Sequence, residues 1–537
     1  MNRLIKLCVL CAAGVAQASG FYLGDNGAKA MVQGGAFTAQ ADDATAMQHN
    51  PAGLAQQPGF SFLVDLQLLH HDVSFLRQDP GFDPASPSTL INKVSSHLQP
   101  DLLSKNPFFF SLPFFAASYG FPIAGRNFTV GVGLFAPPSQ GNYEYPVPNY
   151  AKDDMGKYVE RANKYAPQRY ALTSTNIVIA YPTLSLAYDI HPRFQVGISA
   201  QLTVSQFQQT QTMYGGDALG DNPQRQLLEN PDYDATVAID LPGQIGFTGI
   251  LGLMARPTDW LSIGASIRPP IPFKARGKIT VDLPEFFNNA GATVVGANGG
   301  SCSTAEQKTV TNCEATLVMT LPLELKFGAR VTPIEGLGIN FDFTYQGWNS
   351  VDQLLLTPDQ VSLSSGPSAM PTPIAAFGVK KNWMGTWSAR LGGSYRIIKY
   401  LSVHAGAMYE TGAAPTSTYS VDWTHPSRFI FTGGFTGHLG PIELIAGALF
   451  TPTNTTVVTD SVVARGQTNP ELAAGVVGNG IYTSGAFGLI FGVRGHFGAV
   501  APAAKPLLGA PAPAPAPAPA PEPAPAAPAA DAPAATP

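Results

Sequence analysis

The chain has 537 residues, with 31 Lys+Arg against 36 Asp+Glu and a formal net charge of −5. It is 45% hydrophobic but only 12% charged, about half the usual share of charge, so either it buries several cores or part of its surface does not face water. The balance excludes a basic nucleic-acid binder, which needs a positive excess to release counterions, and 31 Phe, 18 Tyr and 5 Trp exclude an ordinary disordered chain.

Residues 1–18 read as a secretory signal peptide. Arg3 and Lys6 form the charged start, Leu7 to Ala16 a short apolar core, and Ala16-Gln17-Ala18 a small-residue cleavage site. The core is too short to span a bilayer as a helix, and Leu10 before Cys11 does not suit a lipoprotein site. Removing the segment takes the net charge from −5 to −7. Residues 19–58 follow as a Gly/Ala-rich stretch, too apolar for a solvated linker and too irregular for a strand pair.

After residue 18 no run of about 20 apolar residues occurs. The apolar content comes in alternating segments ended by Gly, Pro, Asn and Asp. In the last, Phe487, Leu489, Phe491, Val493 and Phe497 share one face, while Gly488, Gly492, Arg494 and His496 share the other. Strands are expected at 59–73, 108–121, 127–138, 171–190, 194–207, 243–257, 260–280, 316–332, 337–349, 385–398, 400–411, 427–438, 441–452 and 483–497. That makes fourteen, an even number, as a bacterial barrel requires. Short connections fall at 122–126, 191–193, 257–259, 333–336, 399–400 and 437–440, and long ones near 74–107, 139–170, 208–242, 281–315, 350–384, 412–426 and 453–482. Short periplasmic turns and long external loops mark an all-β transmembrane barrel of a Gram-negative outer membrane. A soluble sandwich has no need of long loops all at one end.

Cys8 and Cys11 leave with the signal, so Cys302 and Cys313 remain. An even pair in an exported protein most simply forms a disulfide. Zinc is the competing reading, but no nearby His or carboxylate spacing completes a site. Residues 498–537 form an Ala/Pro run whose charges are Lys505, Glu522 and Asp531. Such a tail favours an extended, disordered periplasmic spacer reaching roughly 100 Å at about 3.1 Å per residue. Contact with the cell wall is the sharper reading.

Between residues 19 and 55 the sequence becomes specific. Ser19-Gly20-Phe21-Tyr22-Leu23, Asn26-Gly27, Gly34-Gly35-Ala36 and Asp42-Asp43-Ala44 lead into Asn50-Pro51-Ala52-Gly53-Leu54. This stretch resembles the N-terminal hatch of the FadL family, outer-membrane transporters of long-chain fatty acids and other hydrophobic compounds. Pro182 to Tyr188, Leu321-Pro322, Tyr345 to Trp348, Arg390 to Tyr395, and the stretch from Tyr409 through Pro415 to Arg428-Phe429 resemble the family's recurring strand and turn segments. The resemblance covers roughly 19–497. It implies a hatch at 19–58 plugging a barrel at 59–497, which captures substrate among external loops, binds it in the lumen and releases it sideways. The Ala/Pro tail departs from the family, whose members usually stop at the aromatic residue ending the last strand, here Phe497.

The resemblance places the lateral gap beside strand three, facing the Asn50-Pro51-Ala52 triplet. Strand three carries Gly131, Gly133, Pro137 and Pro138, apt at a kink or bulge. Equally, Gly fits a tight wall and Pro ends a strand. A fatty-acid carboxylate would want an inward cation. Alternation puts Arg268 with Ser262, Gly264 and Ser266, and Glu324, Lys326 and Arg330 together, on inward faces. Arg268 and Lys326 are the candidate ligands, although inward charges in barrels are ordinarily paired with each other or with the plug.

His70-His71-Asp72 suggests a metal or catalytic pair, but neighbours in a strand point to opposite faces. No nucleophile elbow, phosphate loop or zinc helix is present, so no enzyme, cofactor or metal is expected. The expected partners are a fatty acid or another hydrophobic small molecule, outer-membrane lipids and the barrel-assembly machinery, around a monomer. A general porin, and a structural or secretion-linked barrel of the same fold without lipid transport, are the alternatives.

Overall fold

Alternation builds the wall. In the last strand Phe487, Phe491, Val493 and Phe497 are exposed, while Ala486, Ile490 and Arg494 on the alternate face are buried. The computed structural model describes residues 25–77, 94–96, 109–110, 114–136, 142–144, 151–152, 158–159, 168–214, 233–304, 309–364, 370–374, 376–423, 426–465 and 476–498. In it fourteen strands close into a ring. They are β1 (Gly59–Arg77), β2 (Phe114–Ile123), β3 (Arg126–Phe135), β4 (Ser174–His191), β5 (Phe194–Tyr214) and β6 (Asp234–Thr258). Four interrupted strands follow: β7 (Leu261–Arg268, Ile271–Asp282), β8 (Glu314–Leu321, Glu324–Val331), β9 (Leu337–Gln346, Gln353–Asp359) and β10 (Phe377–Lys380, Thr386–Ile398). The last are β11 (Leu401–Glu410), β12 (Arg428–Leu439), β13 (Ile442–Val458) and β14 (Gly480–Phe497). Neighbours are antiparallel, and β14 closes on β1 from Phe60↔Phe497 to Arg77↔Gly480.

The interruptions differ from the expected continuous strands. Pro269, Pro270 and Pro322 stand at the breaks in β7 and β8, where a missing N–H stops the ladder. The extra segments Gln353–Asp359 and Phe377–Lys380 carry β9 and β10 toward the long-loop end, and β6 begins at Asp234 rather than 243. No helix among the described residues is long and apolar enough to cross a membrane. Cys302 and Cys313 are disulfide-bonded, with Cα atoms 5.5 Å apart, in the long connection between β7 and β8.

Residues 25–57 fill the barrel with α1 (Ala28–Met31), α2 (Ala46–His49) and a 3₁₀ turn, Pro51–Gln56. Nearly all their side chains are buried. Two apolar clusters result. Met47, Leu54, Phe114, Tyr181 and Met254 pack hatch against wall. A larger cluster, including Ile271, Leu317, Leu356, Trp348, Trp383 and Tyr482, packs mainly on the long-loop side. The expected signal peptide, 1–18, and the tail, 499–537, lie outside the described residues.

Candidate functional site: a plugged lumen with an apolar upper chamber

The hatch is short and has little helix of its own, so its backbone donors need partners from the wall. Asp342 of β9 accepts the Phe37 and Thr38 N–H groups at 2.8 and 2.7 Å. Asp65 of β1 accepts the Ala28 N–H at 2.7 Å. Arg494 of β14 pairs with hatch Asp43 at 2.5 Å, and Lys29 with Asp42 at 2.8 Å within the hatch.

One ion cluster carries both candidate ligands. Hatch Asp25 pairs with Arg390 of β10 and lies 3.9 Å from Lys326 of β8 and 3.9 Å from His49. Lys326 also stands 3.3 Å from Glu324, which lies 3.9 Å from Arg268 of β7. Arg268 donates to Gln48 Oε1 at 3.1 Å and lies 5.7 Å over the Tyr181 ring. Burial alone would push the Asp25 carboxyl up, but Lys326, His49 and Arg390 together hold it below the usual carboxylate range. Arg268 and Lys326 thus share one cluster at the hatch face, both facing carboxylates.

Asn50 caps the 3₁₀ turn. Its amide donates to Thr38 O at 3.0 Å and to Leu253 O of β6 at 2.9 Å, and its carbonyl accepts the Ala52 N–H at 3.3 Å. Pro51 follows as the first turn residue, where no donor is needed. The turn lies against β4, β5 and β6, where Gly197 and Gly252 face it, and Gly264 of β7 faces Thr38 and Asn50 just before it; a Cβ at these positions would collide with Pro51, Asn50 or Thr38. Only glycine admits so close a backbone approach.

At strand three the described part of the wall is laddered. β3 is paired in register with β2 from Phe115↔Leu134 to Ile123↔Arg126 and with β4 from Phe128↔Tyr188 to Phe135↔Tyr181. A Cβ at Gly131 would meet Met47 and Leu54 of the hatch, so this glycine fits the wall to the plug. Gly133 sits against Phe135 and Ala116. Pro137 and Pro138 lie outside the described residues, beyond which Asn142–Glu144 rejoins β4 at Asn176.

Above the hatch the inward faces change character. Ile177, Leu317, Leu356, Trp348, Trp383 and Tyr482 are buried there, and Trp348 and Trp383 meet edge to face at 5.4 Å. A small apolar cavity of about 40 Å³ lies among Ile177, Phe207, Phe273, Leu317 and Leu354. An aqueous barrel has a polar interior, so this inversion suits an apolar guest. His71 faces inward to Ser484 at 2.9 Å, and His70 lies 3.1 Å from Asp72, so the two histidines diverge as alternation requires.

Sequence reasoning missed the acidic anchors Asp25, Asp65 and Asp342 and the cations Arg390 and Arg494 as hatch ties. Strand parity held the signal for the wall residues, since each is a charge on an apolar strand's inward face.

The comparisons agree with this architecture. A profile described as "Outer membrane protein transport protein (OMPP1/FadL/TodX)" matches residues 9–445. Among curated proteins no sequence relative is found. Of solved structures, a Pseudomonas aeruginosa FadL homologue superposes with a TM-score of 0.64 at 15% identity, over 89% of this chain and 100% of that one. The Ralstonia pickettii toluene transporter TbuX gives 0.58 at 16%, over 88% and 99%. The P. putida toluene transporter TodX gives 0.56 at 13%, over 89% and 100%. Ring, plug and profile together place the chain in the OmpP1/FadL/TodX family of outer-membrane transport proteins.

Proposed function

We propose that this protein carries hydrophobic molecules passively across the outer membrane, by capture at the long-loop end, binding in the apolar upper lumen and release sideways through the wall. The apolar inward face above a charged hatch carries this reading. A long acyl chain gains about 0.8 kcal/mol per buried CH₂, which a wet pore cannot supply. Long-chain fatty acids fit this chemistry, and so do the aromatic hydrocarbons in the names of the similar solved structures. A carboxylate headgroup reaching the chamber floor would meet Arg268 and Lys326, and binds them only by exchange against Glu324 and Asp25. No reaction or cofactor enters this cycle. The protein acts as a monomer delivered by the barrel-assembly machinery, with the tail as a periplasmic spacer that can touch the cell wall.

The test is uptake of a labelled long-chain fatty acid, of toluene and of a sugar-sized polar solute by cells that lack their own transporter and express this chain. Entry of the fatty acid or toluene without the sugar is the expected result. Sugar entry would make the protein an open porin. A second reading, a barrel that keeps the fold without lipid transport, draws on the small size of the upper cavity, about 40 Å³; entry of none of the three would favour it.

A further inference from the structure

A barrel wall is sealed by its ladder, and unladdered backbone at membrane depth is tolerated only where protein or a cavity covers it. β6 and β7 are paired in two stretches, Leu251–Ala255 against Ile263–Ile267 and Thr236–Asp240 against Lys278–Asp282. Both stretches share one register, so nothing has slipped. Between them, residues 241–250 and 268–277 are not partnered with each other. β6 stays paired with β5 across this span, through Ser205↔Gln244 and Ile198↔Leu251. β7 stays paired with β8 from Ile271↔Leu321 to Lys278↔Glu314. The strands part and rejoin, opening a seam between them.

The sequence explains the parting. Pro269, Pro270 and Pro272 on β7 and Pro242 on β6 have no N–H to offer, and Gly243 turns the β6 backbone through φ 54°. The break between β8 and β9 is filled. Between β8 and β9, Trp348 is fully buried and the Gly347 N–H donates to Leu323 O at 2.8 Å. Across the β6–β7 seam, the Gln244 side chain reaches Arg276 O at 2.9 Å, near the long-loop end. Lower down, a Cβ at Gly246 would stand 3.9 Å from Ile271 Cγ2, and one at Gly249 would meet only Ser199 O of β5.

Apolar space lies on both sides. Inside, Phe273 and Thr203 line the upper-lumen cavity, and Thr203 is also the nearest neighbour of a Cβ at Gly246. Outside, Ile245 and Phe247 are 76% and 69% exposed. Phe247 forms the β6 edge of an apolar groove of about 750 Å³ that runs across β1–β5, past Phe115, Val132, Gly133, Leu184 and Leu202. Exposed Lys274 and Arg276 stand in the upper part of the seam and Lys278 in the ladder above it, where cations suit anionic lipid headgroups, so residues 245–250 and 268–273 lie below the membrane's outer boundary.

We propose that the β6–β7 seam is the lateral portal, through which an apolar molecule passes from the upper lumen, past Ile271 and Gly246, onto the outer-face groove. This rests on the transport reading above and places the exit away from β3, whose ladder runs unbroken across Gly131 and Gly133.

The test staples the seam. In a Gly246→Cys/Ile271→Cys variant, oxidation should form a disulfide, seen as a gel shift, and lower fatty-acid and toluene uptake by about tenfold or more. Reductant should restore it, relative to wild type given the same reductant. Wild-type uptake through the stapled wall would overturn the portal and leave the transport reading intact. Failure of the wild-type protein to take up either molecule would remove the transport reading, and the portal with it. A second measurement needs no variant. A diazirine-bearing fatty acid, photolysed with the native protein in outer-membrane vesicles, should label residues 245–250 and 269–273; label confined to residues 127–144 would overturn the proposal in favour of β3.

Discussion

Asp25 ties the plug to the wall, because Arg390 of β10 and Lys326 of β8 converge on it, with His49 of the plug beside it. Removing one partner of a buried ion pair leaves an uncompensated charge and costs about 3–5 kcal/mol. Asp25→Asn should therefore lower the heat-dissociation temperature of the folded band and raise ion conductance in planar bilayers; an unchanged conductance would place the seal elsewhere. Its carboxyl is held below its ordinary value of 3.8, so its contribution is present above that value and lost only as the pH falls through the lowered one. Asn50→Ala leaves Thr38 O and Leu253 O without its amide, at about 1–3 kcal/mol for groups so orphaned, and should reduce uptake while the barrel stays folded and heat-resistant on a gel. Parity along β7 and β8 makes Arg268, Glu324 and Lys326 legible as inward residues. Their partner Asp25 lies in a segment with no period, so no pattern in the sequence ties it to Lys326 or Arg390.

Among the elements, the 3₁₀ turn Pro51–Gln56 shows how wall and plug were fitted to each other. Gly197, Gly252 and Gly264 come from three different strands, yet each lacks a side chain where the turn or its neighbours press against the wall. Gly197→Ala would drive a methyl group into the Pro51–Ala52 backbone. Such overpacking costs about 1–3 kcal/mol, with the turn, not the laddered strand, giving way. The expected outcome is a folded barrel with raised entry of a sugar-sized solute, read by liposome swelling; a tight barrel would mean that the strand moved instead. Strand number and facing were legible here because alternation is local. The interruptions in β9 and β10 were not, since Gln353–Asp359 and Phe377–Lys380 pair with each other across a long connection, and pairing at that range leaves no local period. The β6–β7 seam had a visible sign in Pro242, Pro269, Pro270 and Pro272, but prolines in one strand show a missing donor without showing which neighbour is lost.

At the scale of the whole molecule, closure depends on β14 finding β1. The two are paired along their full length, from Arg77↔Gly480 to Phe60↔Phe497. Phe497 completes the match by stacking on Phe60 and Phe62, with ring centroids 6.4 Å away in each case. Every ladder partner and ring contact of this final strand is therefore in place by residue 497, and the apolar outward face that meets lipid ends at the same residue. A chain cut after Phe497 should reach the outer membrane and show the heat-modifiable mobility of a closed barrel, with hydrophobic uptake within about twofold of the full-length chain, a difference under about 0.5 kcal/mol in rate terms. Loss of the folded band on the gel would instead make residues 498–537 part of the assembly signal. Normal folding with loss of uptake would tie the tail to transport itself.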